Sequence, residues 1–442
     1  RFAKTMSDDP QKTDLPPLPN HPQGGLSVEA GDTVTITGLS LSIEDLNEIE
    51  GKRDRPFYLR TPRWNSEFEC GATYQLQQRM KPGSYNVDGN RVDITEDGWN
   101  IDVALQHAVK NPFRATNIVA KRVLDILAAE AFRISDLKDP LRQHGLWFRE
   151  EGQVVLRFVT TARMAVSMQA SAEVRDPTGA LKPQDSPELK WHASHSYFRR
   201  SQITDDLHDA YRNLFLALEA LLSEVYPWEV GMGERKWLES ALKHVINGYE
   251  LVMSDYVGEG GGNPYRRFIN EQYRARRCAL FHSKLGENPT IPGDLATRDD
   301  LVVATQRLGK LYVQLAKLIT GAGFAGGMMS EAAFKNIVQS QADSPLYVSD
   351  ESDFLLSNCV LSNGEVEIDA DGHTSLHHLK GAWNSEEIPQ NIQRVGVLVQ
   401  NDEELVDGIY EDVNIDMDGA SKLEVVMQYE LANAEHLREW FL

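Results

Sequence analysis

The chain has 442 residues, 41% of them hydrophobic and 25% charged, which excludes a fibrous or wholly disordered protein and is too long for one ordinary core, so two or three domains are expected. Its three cysteines, Cys70, Cys278 and Cys359, form no CxxC pair, so neither a disulfide framework nor a cysteine zinc site is expected. The formal charge of −21 is uneven: residues 331–442 hold 23 acidic and 5 basic side chains, leaving a net −3 upstream. A local basic site in residues 1–330 is therefore compatible with the whole, because fields act over a Debye length of roughly 8–10 Å.

Residues 1–25 are rich in Pro, Asp and Gln and read as a flexible tail. From Leu26, alternating runs such as TVTIT (33–37) and PFYLR (56–60) predict strands. ATNIVAKRVLDILAAEAF (115–132) places Ile118, Val119, Val123, Ile126 and Leu127 on one face of a helix. GLWFREEG and QVVLRFVTTARMAVSMQASAEV predict two strands joined by a turn near Glu150–Gly152.

The character changes near Ser201. In ITDDLHDAYRNLFLALEALLSEVY, Leu207, Tyr211, Leu214, Leu218, Leu221 and Val225 recur at helical spacing, with Thr204 as the cap and Pro227 as the stop. A second helix is predicted over 233–246, and the glycine-rich loop GEGGGNP (258–264) separates it from a third over 263–284. The fourth, 298–320, has Leu301, Leu308, Leu311, Leu315 and Leu318 as its seam and Gly321 as its C-terminal cap. Residues 322–342 read as a linker with one short helix (331–341), and the remainder turns to strands such as VEIDA, VGVLVQ and LEVVMQYEL.

The third helix, NPYRRFINEQYRARRCALFHSK, carries six basic side chains against one Glu. Arg266, Arg267, Arg274, Arg276 and Lys284 are candidate phosphate ligands, since a guanidinium fork donates two parallel hydrogen bonds and stays charged. His282 follows Arg277 by five positions. A histidine titrating near neutrality can move the proton of a ribose 2′-hydroxyl while an arginine offsets charge on the phosphorane. On an ideal helix five positions turn through about 140°, so the pair shares a face only where the helix ends or bends.

A helical bundle with R-x4-H near the end of a late helix resembles the HEPN superfamily, many of whose members are metal-independent ribonucleases, and YRARRCALFH is similar to HEPN proteins labelled methylamine-utilisation J-like. The resemblance spans about 120 residues. It implies that Arg277 polarises the scissile phosphate, that His282 is the acid or base, and that two bundles face each other in a homodimer. Where that family often has Asn, Asp or His after the arginine, this chain has Cys278.

Other candidates point less far. His373, His377 and His378 have HxxxH spacing and His192 with His195 has HxxH, but neither has the adjacent Glu of a metalloprotease pattern. NIDMDGASKLE (414–424) is similar to a calcium loop with its Glu one position early. GEGGG lacks the Lys and Ser or Thr of a phosphate-binding P-loop. No metal and no cofactor are expected.

The expected fold class is therefore α+β and multidomain: a flexible tail (1–25), a mixed β-rich N-terminal domain with one helix (26–200), a central HEPN-like four-helix bundle (201–321), a linker (322–342) and an acidic β-rich C-terminal domain (343–442). No apolar stretch reaches about 18 residues and no signal-peptide layout stands near the start, so a cytoplasmic protein without a membrane span is expected. Two functional readings follow. In one the chain is a HEPN endoribonuclease that cuts RNA by 2′-hydroxyl attack, as a toxin or antiphage effector held in check by a regulatory partner or by its acidic C-terminal domain. In the other it is a non-catalytic module for dimerisation or for binding nucleic acid or an acidic protein. They part on whether Arg277 and His282 of two subunits converge on a cleft or are buried in salt bridges within one bundle.

Overall fold

The computed structural model describes residues 33–45, 56–61, 67–131, 134–182, 191–204, 206–281, 295–321, 344–362, 369–370, 377–401 and 404–431. The fold class is α+β. The chain divides into two compact units, one of residues 42–167 and 329–432 and the other of residues 1–41, 168–328 and 433–442.

The first unit is built on strands. Before the helical region come β2 (Phe57–Arg60), β3 (Cys70–Gln75), β4 (Gly83–Val87), β5 (Asn90–Ile94), β6 (Asn100–Leu105), helix α1 (Pro112–Ala131), β7 (His144–Glu150) and the larger part of β8 (Gln153–Arg175), while most of β1 (Thr33–Asp45) and the end of β8 fall in the other unit. After it come β9 (Leu346–Ser349), β10 (Cys359–Leu361), β11 (Asp369–Ala370), β12 (His377–Asn384), β13 (Asn391–Asn401), β14 (Glu404–Asp416) and β15 (Lys422–Leu431). The larger sheet runs β11-β12-β15-β8-β7-β3-β6-β5-β4, with β1 also pairing β8, and the smaller runs β10-β9-β13-β14-β2.

Tight turns fix two of the hairpins. Asp88–Gly89 and Glu151–Gly152 all have positive φ, and each pair forms the two-residue loop of a hairpin. Left-handed backbone at both central positions matches the twist of the flanking strands, and the second hairpin is the turn predicted near Glu150–Gly152. The two sheets enclose one core in which Phe57, Leu59, Trp147, Leu156 and Phe158 meet Leu346, Trp383, Val395, Ile415 and Met427. A second core lies between α1 and β3, β5 and β6. Val119, Ala120, Val123, Leu124 and Leu127 of α1 are buried there, whereas Ile126, expected on that face, is exposed. Its place on the stripe is taken by Leu124.

The expected division between N-terminal and C-terminal domains does not hold. β15 lies parallel to β8 from Lys422 opposite Val155 to Leu431 opposite Met164, and β14 lies parallel to β2. Strands from both ends of the chain thus share sheets and a core, which no exposed linker could divide. Part of the C-terminal acidity is also consumed inside this unit. The guanidinium of Arg394 lies 3.3 Å from Asp407 and 3.1 Å from Asp412, and Arg157 lies 2.6 Å from Glu424.

The second unit contains the helices α2 (Ala193–Ile203), α3 (Leu207–Val225), α4 (Glu234–Gly248), α5 and α6 (Leu295–Thr320). Helix α5 runs through Pro264–Phe268, a π-wound stretch Ile269–Cys278, and Ala279–Phe281. Tyr211, Leu214, Leu218, Leu221, Trp237, Leu238, Phe268, Leu308 and Leu315 form its core, so most of the predicted seams of the flanking helices are buried. Helix α2 is additional to the four expected. Thr204 ends α2, and it is Asp206 that caps α3, accepting from Asp209 N at 2.8 Å. Asp outranks Thr as a cap because its carboxylate also faces the positive end of the helix dipole. Gly321 has φ +71°, as a C-terminal cap requires. The tail, the 322–342 linker and its short helix lie outside the described residues. Among the described residues no helix is long and apolar enough to cross a membrane.

This topology makes residues 343–442 indispensable to the β unit. Their removal is expected to uncover Trp147, Leu156 and Phe158, abolish cooperative melting of that unit and expose dye-binding apolar surface. A truncated chain that keeps native β circular dichroism and a sharp transition would contradict the shared core.

Candidate functional site

The geometry of the arginine-rich helix follows from its start and its interior. Asn263 caps α5, its Oδ1 accepting from Tyr265 N at 2.9 Å and Arg266 N at 3.3 Å, with Pro264 in the first turn, where its missing N–H costs nothing. Further along, the Tyr211 hydroxyl donates to the backbone carbonyl of Gln272 at 2.8 Å and to its Oε1 at 3.0 Å, while Gln272 Nε2 donates to Ala304 O at 3.1 Å. Gln272 is 1% exposed and so ties α5 to both α3 and α6. A side chain inserted into a helix ladder is a recognised cause of departure from α winding, and the π stretch lies around this residue.

The five arginines of α5 have different fates. Arg267 donates to the carbonyls of Gly258 and Gly260, and Glu271 Oε2 accepts from Gly258 N at 3.1 Å. The glycine-rich loop is thereby clamped to its own helix. Arg276 lies 3.3 Å from the exposed Asp300. Arg277, whose side chain is 16% exposed, is ion-paired to Glu234 of α4 and lies 3.9 Å from Glu219 of α3. Its guanidinium stands 5.3 Å from the Tyr273 ring centroid, and the Tyr273 hydroxyl donates to Glu234 Oε2 at 3.0 Å. Arg266 and Arg274 are exposed, with no ion-pair partner among the described residues. His282 and Lys284 lie outside the described residues, so Arg277 is the described half of the R-x4-H motif.

The electrostatics around Arg277 are those of an internal cluster. Burial pushes the Glu219 carboxyl up to about 7, opposed by Arg277 and reinforced by the neighbouring Glu234 carboxylate. Glu219 Oε1 accepts no hydrogen bond, consistent with a group that gains little from ionising. A phosphate brought to Arg277 would meet two carboxylates on the guanidinium, and like charges in a poorly solvated site repel strongly.

Neither Glu219 nor Glu234 stands out in the sequence as a functional residue. A signal for Glu219 exists all the same: it sits four residues after Phe215 and three before Leu222, both fully buried, so it is a carboxylate on the apolar side of its helix. Such a group is retained when it has a partner. Glu234 carries no comparable signal, since the first turn of a helix favours acidic residues anyway.

The remaining candidates have structural roles. His192 caps α2, its Nδ1 accepting from Ser194 N at 3.1 Å, and His195 Nδ1 accepts from His192 N at 3.3 Å. The HxxH pair is thus a capping box. His377 and His378 pair through β12 with Tyr429 and Gln428, and His373 lies outside the described residues. In the calcium-like loop Asp416 Oδ1 accepts from Asp418 N at 3.0 Å, and Glu424 is held by Arg157 and Lys422. That segment is the connection from β14 to β15. Among the described residues no group of three or more His, Cys, Asp and Glu is disposed to hold a metal ion.

Two predictions follow for the Arg277 cluster. Arg277→Ala leaves the half-buried Glu219 and the partly exposed Glu234 without their cation and is expected to lower stability by roughly 2–4 kcal/mol, below the loss at a fully buried pair. Chemical denaturation checks this; a loss under about 0.5 kcal/mol would mark the pair as an ordinary surface contact. The second concerns pH. Because the Glu219 carboxyl is raised from 4.5 to about 7 in the folded chain, the folded state binds the extra proton between those values and its stability falls as pH rises through that window. Glu219→Gln is expected to flatten the decline of melting temperature between pH 5 and 7.5, and an unchanged slope would show that Glu219 ionises normally.

No family model, no curated protein and no solved structure matches this chain, so its function is argued from its own residues.

Proposed function

We propose that the helical unit is a HEPN-like binding module in which Arg277 is a structural ion-pair centre, and that the protein acts by engaging an anionic partner without cutting it. The observation that carries this reading is the pairing of Arg277 with Glu234 and Glu219 inside one bundle. A guanidinium so held has its charge offset from within, and freeing it for a scissile phosphate means leaving two carboxylates uncompensated. Arg267 and Arg276 are also engaged, by the glycine loop and by Asp300. That leaves the exposed Arg266 and Arg274 as the helix's described cations for an outside ligand.

A second reading is favoured by one observation, the π winding of α5 up to Cys278. Departures of this kind occur often at functional sites, and Arg277 lies within the wound stretch. On that reading two bundles pair, Arg277 exchanges its carboxylates for RNA, and His282 moves the proton of the 2′-hydroxyl without a metal.

Incubation of labelled single-stranded RNA and tRNA in EDTA with the protein, Arg277→Ala and His282→Ala tests the choice. The binding-module reading expects no cleavage above background in any of the three. Cleavage by the unaltered chain that survives EDTA and disappears in both variants while their folds persist would establish the nuclease instead.

A further inference from the structure

The exposed arginines of α5 belong to a larger cationic face shared with α4. The two helices run antiparallel, since the Tyr265 hydroxyl donates to Asn247 Oδ1 at 3.0 Å near one end of α4 and the Tyr273 hydroxyl reaches Glu234 at the other. Arg235, Lys236, Arg266 and Arg274 are exposed, and Lys243 stands 5.8 Å from the Tyr265 ring. Three of them meet at one carboxylate: Lys243 donates to Glu239 Oε1 at 2.7 Å, and that hydrogen bond, followed by the charges of Lys243, Arg266 and Arg235, holds Glu239 below the usual glutamate range. Eight residues of α4 separate Arg235 from Lys243, so the cations span about 12 Å along the helix. Trp228 lies in the loop that leads into α4, 53% exposed, its Nε1 donating to Met232 O at 2.8 Å.

We propose that this face binds single-stranded nucleic acid, with Arg235, Arg266 and Arg274 on successive phosphates and Trp228 as a stacking platform for a base. The proposal rests on the binding-module reading and names its ligand. Charge complementarity selects a polyanion: in a chain of net charge −21 this face is locally positive, and phosphates are held by such fields over a Debye length. An acidic protein fits less well. Specific protein interfaces have an apolar, desolvated centre, and neither α4 nor α5 exposes a large hydrophobic side chain among the described residues. The available aromatic stands at the end of the cationic stripe, the arrangement of cations along a backbone with an aromatic for a base that serves single strands of any sequence.

Fluorescence anisotropy of the full chain with labelled oligo-uridylate and oligo-thymidylate, from 50 to 300 mM salt, tests the assignment. Three phosphate contacts predict a slope of about −2 in log affinity against log salt. The double variant Arg266→Glu, Arg274→Glu should weaken binding at least tenfold at 50 mM salt and make that slope shallower. Trp228→Ala should weaken binding about fivefold or more with the slope unchanged. Unchanged melting temperatures keep these effects from being ascribed to misfolding, since all three side chains are exposed. No binding to either oligonucleotide, or binding that both variants retain, overturns the proposal. Capture of poly-glutamate but not nucleic acid, lost in the double variant, overturns it while leaving the binding-module reading intact, whereas metal-independent cleavage removes that reading itself.

Discussion

A guanidinium held between carboxylates in a helical core cannot at the same time serve a phosphate from solution, and this constraint governs what the arginine-rich helix can do. Arg277 lies where α3, α4 and α5 meet: Glu219 approaches from the first, Glu234 from the start of the second, and Tyr273 one turn away on its own helix. Because the Glu219 carboxyl is pushed up to about 7, the guanidinium charge is offset mainly by Glu234, with which it is paired. Bringing in a phosphodiester places a further negative charge beside Glu234 and Glu219 with little water to screen it. The same constraint explains why the unit is closed around this point. Tyr211 and Gln272 lock the π-wound part of α5 to α3 and α6, so the arginine is presented to its carboxylates by a backbone with little freedom to swing.

The β unit depends on a different constraint, the pairing of strands from the two ends of the chain. β15 sits between β12 and β8 in the larger sheet, and β2 is an edge strand of the smaller sheet against β14. Neither end can fold alone with its apolar face covered. The described strands of the acidic C-terminal quarter are therefore part of a shared sandwich, with Asp407, Asp412 and Glu424 paired to Arg394 and Arg157.

What was legible in the sequence follows from which forces are local. The helices α3, α4 and α6 are written in leucine spacing, and most of the predicted seams of α3 and α6 are buried, Leu207 and Leu318 being only partly covered. The turn at Glu151–Gly152 was readable because a glycine after a charged residue marks a two-residue hairpin. The partners of Arg277 were not readable, because α3 and α4 are distant in sequence and their carboxylates become neighbours only when the helices pack. Glu219 was the partial exception, a charge among leucines. The capping role of His192 and His195 was hidden for another reason: a histidine pair reads first as a metal motif, and only the start of α2 shows that one ring accepts from the helix. Sheet pairing between Lys422 and Val155 lies beyond any local signal, since the intervening helical unit separates the two strands.

The claim on which the account rests is that Arg277 and Glu234 are coupled inside the fold. A double-mutant cycle of Arg277→Ala and Glu234→Ala, read as unfolding free energy at pH 7.5 and low salt, measures that coupling. The account predicts an interaction of roughly 1–3 kcal/mol, with the second substitution costing little once the first is made. Additive effects within about 0.3 kcal/mol would mean the two side chains do not depend on each other, and Arg277 would then be free to hold a phosphate.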